Sequence, residues 1–311
     1  MADQKETIRR WSVRTPGKKV YSECFPEYIL GEKQIRALQE SLLQIFLEIR
    51  QLCEENGIRY MMAGGSLLGT IRHQGFIPWD DDMDIMMTRA EYDKFRKAFE
   101  SAKAEGRLKE YILAEPLKAE EYYFKIPKVY KTDTEYISLN YMGNPRYNMV
   151  AVDIFLIEYM PVSRLKRRLN AALFDFAFYA SAFCLDYIYP SPVILEKCRE
   201  EAGLKRYYDF RRRMGALFQR FFGIRFYLKV CQRLSYGPKE SSLMGIPCGI
   251  SYAREIFDRS LFSETDTGTF CGYEVSIPRR YEEYLTNLYG DFWQLPPEDK
   301  REIHTAVSLR V

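Results

Sequence analysis

Apolar residues recur every three or four positions across 33–56: Ile35, Leu38, Leu42, Ile45, Phe46, Ile49, Leu52 and Cys53. That period paints one stripe down a helix, and Gly57 is placed to end it. The period then shortens. Residues 60–63 are an apolar run of strand length, broken by Gly64 and Gly65, and 83–87 reads as a second strand. Thr88-Arg89-Ala90-Glu91 has the Ser/Thr-x-x-Glu spacing of a capping box and predicts a helix to about residue 104. Residues 112–114 suggest another strand. Residues 124–130 alternate, with Pro127 marking an edge or a bulge. The most strand-like run is 149–157, whose near-continuous β-branched and aromatic residues predict a central, buried strand.

Beyond residue 163 the pattern turns helical. Residues 171–189 are rich in aromatics and interrupted by Asp175 and Asp186. Residues 205–234 mix arginines with phenylalanines, and Pro190 and Pro192 separate the two blocks. Near the end, 272–278 alternates as a short strand, and 279–291 reads as a helix stopped by Gly290. The expected fold is α/β (α+β): a mixed sheet with packed helices and a mainly helical basic insertion. The organisation follows as an N-terminal arm (1–30), a core (31–163), the insertion (164–238) and a last part (239–311) completing the core. No internal repeat is visible.

Charge sharpens that division. The 311 residues carry a net charge of only +3, but 164–238 holds 15 lysines and arginines against 6 acids, leaving the remainder acidic. Basic residues beside aromatics fit a helix on an anionic membrane surface, and equally a groove for an anionic glycan or lipid-linked acceptor. They also fit a plain helical subdomain whose arginines reach past its apolar surface to water. No nucleic-acid-binding motif is present. The seven cysteines are odd in number and form no Cys-x-x-Cys, which points to free thiols in a reducing compartment. Arg9-Arg10 is followed by no apolar stretch, and no uninterrupted run of 18 apolar residues occurs. No signal peptide and no spanning helix are therefore expected. The expected location is cytoplasmic, with peripheral contact at the inner face of a membrane through 164–238.

The candidate chemistry lies in residues 60–87. Gly64 and Gly65 let the backbone approach a ligand, and Ser66 is placed to cap a helix from Leu67 whose free N–H groups would face an anion. A loop with Arg72, His73, Gly75 and Pro78 ends in Asp80, Asp81, Asp82 and Asp84. On a strand, Asp82 and Asp84 share a face. Paired carboxylates repel unless a cation sits between them, and hard oxygens with an incomplete shell suit Mg²⁺, or Mn²⁺ in its place. Asp153, one charge amid an apolar strand, needs a partner, either a metal or a basic side chain. Asp82, Asp84 and Asp153 are the candidate catalytic and metal-holding residues, with Glu158 a weaker one. Gly64, Gly65, Ser66, Arg72, His73 and Lys128 are the candidate substrate-binding residues. Loop ordering accounts for His73 equally well, and packing is the expected role of Trp79. An Asp-x-Asp pair alone is usually an acidic surface loop; the glycine turn, the basic loop and the third acid together make it a site.

Gly64-Gly65-Ser66-Leu67-Leu68-Gly69, then Ile71-Arg72-His73-x-Gly75-x-Ile77-Pro78-Trp79-Asp80-Asp81-Asp82-x-Asp84, resembles the signature of the LicD family, whose core fukutin and its relatives share. The resemblance extends over about 33–157 and again from about 273 to the end, including the runs at Lys128, Asp153, Pro296-Pro297 and His304. It implies a nucleotidyltransferase fold. It also implies transfer of phosphocholine or a related phospho-alcohol from a CDP-alcohol donor to a glycan or lipid-linked glycan, as in lipopolysaccharide or teichoic acid modification, with CMP leaving. Lys128 matches the position where a family lysine faces the donor phosphates. Transfer of a nucleotidyl group with diphosphate release, and a non-catalytic glycan-binding protein, remain the rival readings.

Overall fold

The computed structural model describes residues 17–139, 144–298, 301 and 303–311. The first sixteen positions of the N-terminal arm, Arg9 and Arg10 among them, lie outside the described residues. A short helix, α1 (Gly17–Cys24), precedes the long α2 (Glu32–Glu55). All eight residues of the predicted stripe on α2 are buried. Then come β1 (Met61–Met62), α3 (Gly64–His73), β2 (Asp84–Thr88) and α4 (Arg89–Ala104). Thr88 caps α4 by accepting from the Glu91 N–H at 3.3 Å. The Glu91 carboxylate does not reach back to close the box; it accepts from the Arg59 N–H at 2.9 Å instead.

The strands β3 (Tyr111–Ala114), β4 (Lys128–Lys131), β5 (Glu135–Ser138) and β6 (Ala151–Met160) follow. The sheet runs β1-β2-β6-β4-β3. Only β2 and β6 are parallel; the other pairs are antiparallel. The central position expected for 149–157 is the position β6 takes. The edge or bulge expected at Pro127 is not: β4 lies inside the sheet, between β6 and β3. Pro127 precedes the strand by one residue, where its missing N–H takes nothing from the ladder. Its carbonyl accepts from the Ile154 N–H at 3.0 Å.

The basic segment folds as four helices: α5 (Arg164–Ile188), α6 (Pro192–Lys197), α7 (Ala202–Phe221) and α8 (Ile224–Ser235). The helix-like block 205–234 is divided at Gly223, whose φ of 74° turns the chain. Gly215 on α7 sits against α5 so closely that a Cβ there would lie 1.9 Å from the Phe183 carbonyl oxygen. Among the described residues, α5 is the one helix long and apolar enough to cross a membrane, with a mean hydropathy of 1.4 over its best eighteen residues. Asp175 and Asp186 still interrupt it, so that average is reached without an uninterrupted apolar run. Its inner face packs on α7 and α8, and Asp186 on it is buried against Arg211 at 2.6 Å. Burial pushes the Asp186 carboxyl upward in pKa, and the Arg211 guanidinium opposes that.

The chain then returns through β7 (Leu243–Gly245), which pairs with the far end of β6, and β8 (Ile256–Asp258). A hairpin of β9 (Thr265–Phe270) and β10 (Tyr273–Pro278), the helix α9 (Tyr281–Tyr289) and β11 (Ala306–Arg310), paired with β5, complete the fold. Strand β9 escaped the sequence reading because Thr265-Asp266-Thr267-Gly268 carries no apolar alternation. The main core draws on α2, β1–β2, β6 and α9, and no buried residue of 164–238 belongs to it. The insertion has its own cores, one of them shared with Val20 and Tyr21 of α1.

Replacing Arg211 by Met strands Asp186 in a dehydrated site, and we expect a loss of about 3–5 kcal/mol in urea unfolding. Adding Asp186→Leu to Arg211→Met should recover most of that loss.

Candidate active site

Backbone register builds the site. Asp84 of β2 stands directly beside Asp153 of β6, and Asp153 stands beside Lys128 of β4, so the three occupy one row across the sheet. Asp82 lies two residues before Asp84, with Met83 between them wholly buried. The Asp153 N–H donates to the Met83 carbonyl at 2.9 Å, which carries the ladder one step past the start of β2. Lys128 Nζ is 2.7 Å from Asp153 Oδ1 and 3.0 Å from Oδ2.

The N-terminus of α3 abuts this row. A Cβ on Gly64 would lie 2.8 Å from Asp84 Oδ2, and one on Gly65 2.7 Å from Asp80 Oδ2. The two glycines therefore allow carboxylates and helix start to approach to contact. Gly64 also has φ at 49°. The helix begins at Gly64 rather than Leu67, with Ala63 at the N-cap and no side-chain cap bond. Ser66 is thus not the cap the sequence suggested. It is buried within the first turn, and its Oγ accepts from the Asp84 N–H at 2.8 Å. The side chain locks helix to strand.

Two cavities flank the row. A cleft of about 830 Å³ is lined by Gly64, Gly65, Arg72, Asp80, Asp82 and Asp84 on one side. Its other side comes from the last third of the chain: Glu255, Tyr284, Tyr289, Phe292, Pro296 and Arg301 among others. A smaller cavity of about 200 Å³ lies on the far side of Asp82 and takes in Lys128 and Asp153. Burial, then the charges of Asp82, Asp153 and Asp80, push the Asp84 carboxyl well above its ordinary pKa, and Lys128 opposes them. A crowd of carboxylates is the chemistry a hard divalent cation would relieve, but among the described residues the ligand atoms of Asp82, Asp84 and Asp153 do not close within 4.8 Å of one another, and both Asp153 oxygens are paired with Lys128. Among the described residues, the group of three ligand atoms that closes within 4.8 Å is a neighbouring one, Asp80, Asp81 and His304. There Asp81 is already engaged, 2.5 Å from His304 Nδ1 and 2.5 Å from the Tyr136 hydroxyl. That contact pins the acidic loop to the C-terminal stretch.

Residues 57–178 match the family described as LicD/FKTN/FKRP, nucleotidyltransferase domain. The chain carries a LicD-family domain. It is 27% identical over 282 residues to the lipopolysaccharide cholinephosphotransferase LicD of Haemophilus influenzae, covering 87% of this chain and 95% of that protein. It is also 38% identical over 65 residues to the human ribitol 5-phosphate transferase FKRP, but that stretch is 19% of this chain and 12% of FKRP. The mouse protein of the same name is 43% identical over 51 residues, 10% of its length.

All the predicted site residues fall inside the LicD-family domain, but the structure does not bring all of them together. Arg72 lines the cleft, yet its Nη1 is committed to the Phe292 carbonyl at 2.8 Å. His73 lines neither cavity and stands edge-on to Trp79, with ring centroids 6.4 Å apart. Burial and the neighbouring Arg72 lower its pKa. Trp79 lines the cleft under the Arg301 guanidinium, 4.4 Å away. Glu158 is remote from the row: it is buried, accepts from Arg89 Nε at 2.8 Å and from the Gly237 N–H at 3.3 Å, and fastens the returning chain to β6. Sequence reading gave no role to Glu255, Tyr284, Tyr289 or Arg301; the last three lie in the C-terminal stretch that resembles the family, but nothing local shows that they face residues more than 100 positions away.

Ser66→Ala removes the acceptor for a buried N–H and should cost about 1–3 kcal/mol in urea unfolding. Asp84→Asn removes one of the crowded charges. Without added metal it should raise the thermal midpoint at pH 7, and the gain should vanish at a pH low enough to protonate the wild-type carboxyl.

Proposed function

We propose that the chain transfers phosphocholine or a related phospho-alcohol group from a CDP-alcohol to a hydroxyl of a glycan or lipid-linked glycan, releasing CMP. The observation that carries the reading is the row Asp84–Asp153–Lys128, set by strand register against the bare N-terminus of α3, with its Asp84 end lining a cleft of nucleotide size. The names of the relatives support the coarser part, since cholinephosphotransferase and ribitol 5-phosphate transferase both denote transfer of a phosphorus-containing group in glycan modification.

In this reading Asp82 and Asp84, with Asp153 beside them, would hold Mg²⁺ or Mn²⁺, which would supply positive charge to the donor diphosphate and to the leaving CMP. The N–H groups of the first turn of α3 point at phosphate oxygens, aided by the helix dipole. Arg72 adds positive charge on the large-cleft side and Lys128 on the small-cavity side. Asp153 accepts the proton of the acceptor hydroxyl as its oxygen bonds to phosphorus and the bond to CMP breaks. The wall formed by Tyr284, Tyr289 and Phe292 shields the reacting atoms from water.

The insertion offers a docking face. Leu165, Leu169, Leu173 and Phe176 form one exposed stripe on α5, and Phe221, Phe222 and Phe226 are exposed at the α7–α8 turn. Arg220, Arg225 and Lys229 surround that turn and are exposed. Apolar side chains ringed by cations, in a segment of strong positive charge, complement an anionic bilayer, where a lipid-linked acceptor would reside.

Incubation with CDP-choline, CDP-ethanolamine, CDP-glycerol and CDP-ribitol, an acceptor glycan and Mg²⁺ should release CMP with at least one donor. Asp82→Ala and Asp153→Ala should lower that rate on the order of a thousandfold. Diphosphate as the released product would instead mean nucleotidyl transfer. Flotation with anionic vesicles should capture the chain at low salt, and Phe221→Ser with Phe222→Ser should abolish capture. Equal capture by neutral vesicles, or a dimer in place of capture, would overturn the membrane assignment.

A further inference from the structure

The stretch 115–127, between β3 and β4, is neither helix nor strand, yet it carries a ring of the site. Phe124 lines the small cavity, and Lys128 Nζ lies 4.7 Å from its ring centroid while paired with Asp153. Strand pairing with Asp153 fixes the backbone of Lys128 but does not extend to Phe124. Contacts from the basic insertion hold the stretch instead. The Lys125 ammonium, next to Phe124 in the chain, reaches α5, 3.7 Å from the ring centroid of Phe178 and 5.5 Å from that of Phe174. An ammonium over a ring face is attracted by the ring quadrupole, more strongly where water is excluded. The Lys125 carbonyl accepts from Gln232 Nε2 of α8 at 2.6 Å and from Cys248 Sγ at 3.8 Å. Upstream, the Leu117 carbonyl accepts from Arg225 Nη2 at 3.0 Å.

We infer that Lys125 is a positioning residue of the active site: the insertion grips it, it fixes Phe124, and the Phe124 ring keeps the Lys128 ammonium in place beside Asp153. The inference rests on the transferase reading, and it gives 164–238 a second task that needs no membrane. The outward stripe of α5 faces away from the chemistry, while Phe174 and Phe178 on the same helix reach a segment of the site. The insertion does not need this contact for its own packing, because Phe174 is already buried in a cluster with Cys184, Leu228 and Cys231. The contact matters at the other end. Lys128 has a flexible four-carbon stem, and a ring under its ammonium restricts the rotamers open to it. Misplacing a substrate-positioning group by about 1 Å costs on the order of a hundredfold in rate, so partial loosening of the segment should cost about tenfold.

The test is a double-mutant cycle on CMP release by the full chain. Lys125→Met, which keeps the length and removes the charge, should lower kcat about tenfold, and Lys125→Arg should restore it to within about twofold. Phe178→Leu, which leaves Lys125 in place and takes away its ring, should reproduce the loss. In a Lys128→Met background, Lys125→Met should add no further loss, because the residue it acts through is gone. A second readout needs no activity. After reductive methylation with ¹³C-formaldehyde, the Lys128 methyl resonance is the one missing from Lys128→Arg. It should move in Lys125→Met and Phe178→Leu and stay in place in Lys125→Arg. Wild-type kcat in both Lys125→Met and Phe178→Leu, an equal fractional loss with and without Lys128, or an unmoved resonance overturns the inference while leaving the transferase intact. Absence of CMP from every CDP-alcohol in the wild type removes the transferase reading instead, and the resonance then decides by itself whether the insertion positions Lys128.

Discussion

Carboxylates are forced together here by the backbone. Register places Asp84 and Asp153 side by side on parallel strands, and Asp82 and Asp80 add their charges nearby. No side-chain rearrangement separates the two strand residues, because each is fixed by ladder bonds and Asp84 is further tied to Ser66. Such crowding favours protonation and opposes folding. It persists because the apolar sides of β2 and β6, with Ile85, Met86, Met87, Val152 and Ile154 all buried, are locked into the main core. The burial of that core offsets an arrangement that is unfavourable by itself.

The remaining walls follow from the need to surround that row. Helix α3 can start within contact distance of it only because Gly64 and Gly65 lack side chains. The hairpin β9–β10 lies on α3 in turn: a Cβ on Gly268 would come 2.6 Å from Thr70 Cγ2. From the opposite side, α9 and the segment after it close the large cleft, and the Arg72 bond to Phe292 bolts the two sides together. Asp81 does the equivalent for the small cavity through His304 and Tyr136. The site is thus clamped by parts of the chain far apart in sequence, and the stretch matched to the family supplies only one wall of the cleft.

The basic insertion is built around cores other than the main one. Its helices share close contacts among themselves, through Gly215 and the Asp186–Arg211 pair, and its buried residues join cores separate from that behind the active site. It meets the sheet through apolar and polar contacts alike: Met160 of β6 is buried among its helices, and Glu158 holds Arg89 and the Gly237 N–H where the chain comes back to pair with β6. A unit built this way is free to carry an outward apolar and cationic surface without disturbing the row of carboxylates.

The helical period of 33–56, the capping box at Thr88 and the buried run around Asp153 were enough to name the main elements, because each depends on local periodicity. The same is true of the Gly-Gly-Ser and Asp-x-Asp motifs, whose residues are neighbours in the chain. Partnerships were another matter. Sequence put Pro127 on an edge, Ser66 at a cap and Glu158 near the chemistry. Pairing with β6, the earlier start of α3 and the return of the insertion moved each of them elsewhere. Tyr284, Phe292, Arg301 and His304 reach the site only through tertiary closure over more than a hundred residues. The chain's local pattern therefore determined which groups carry charge and on what kind of element. Strand register and long-range packing alone decided which of those groups face one another.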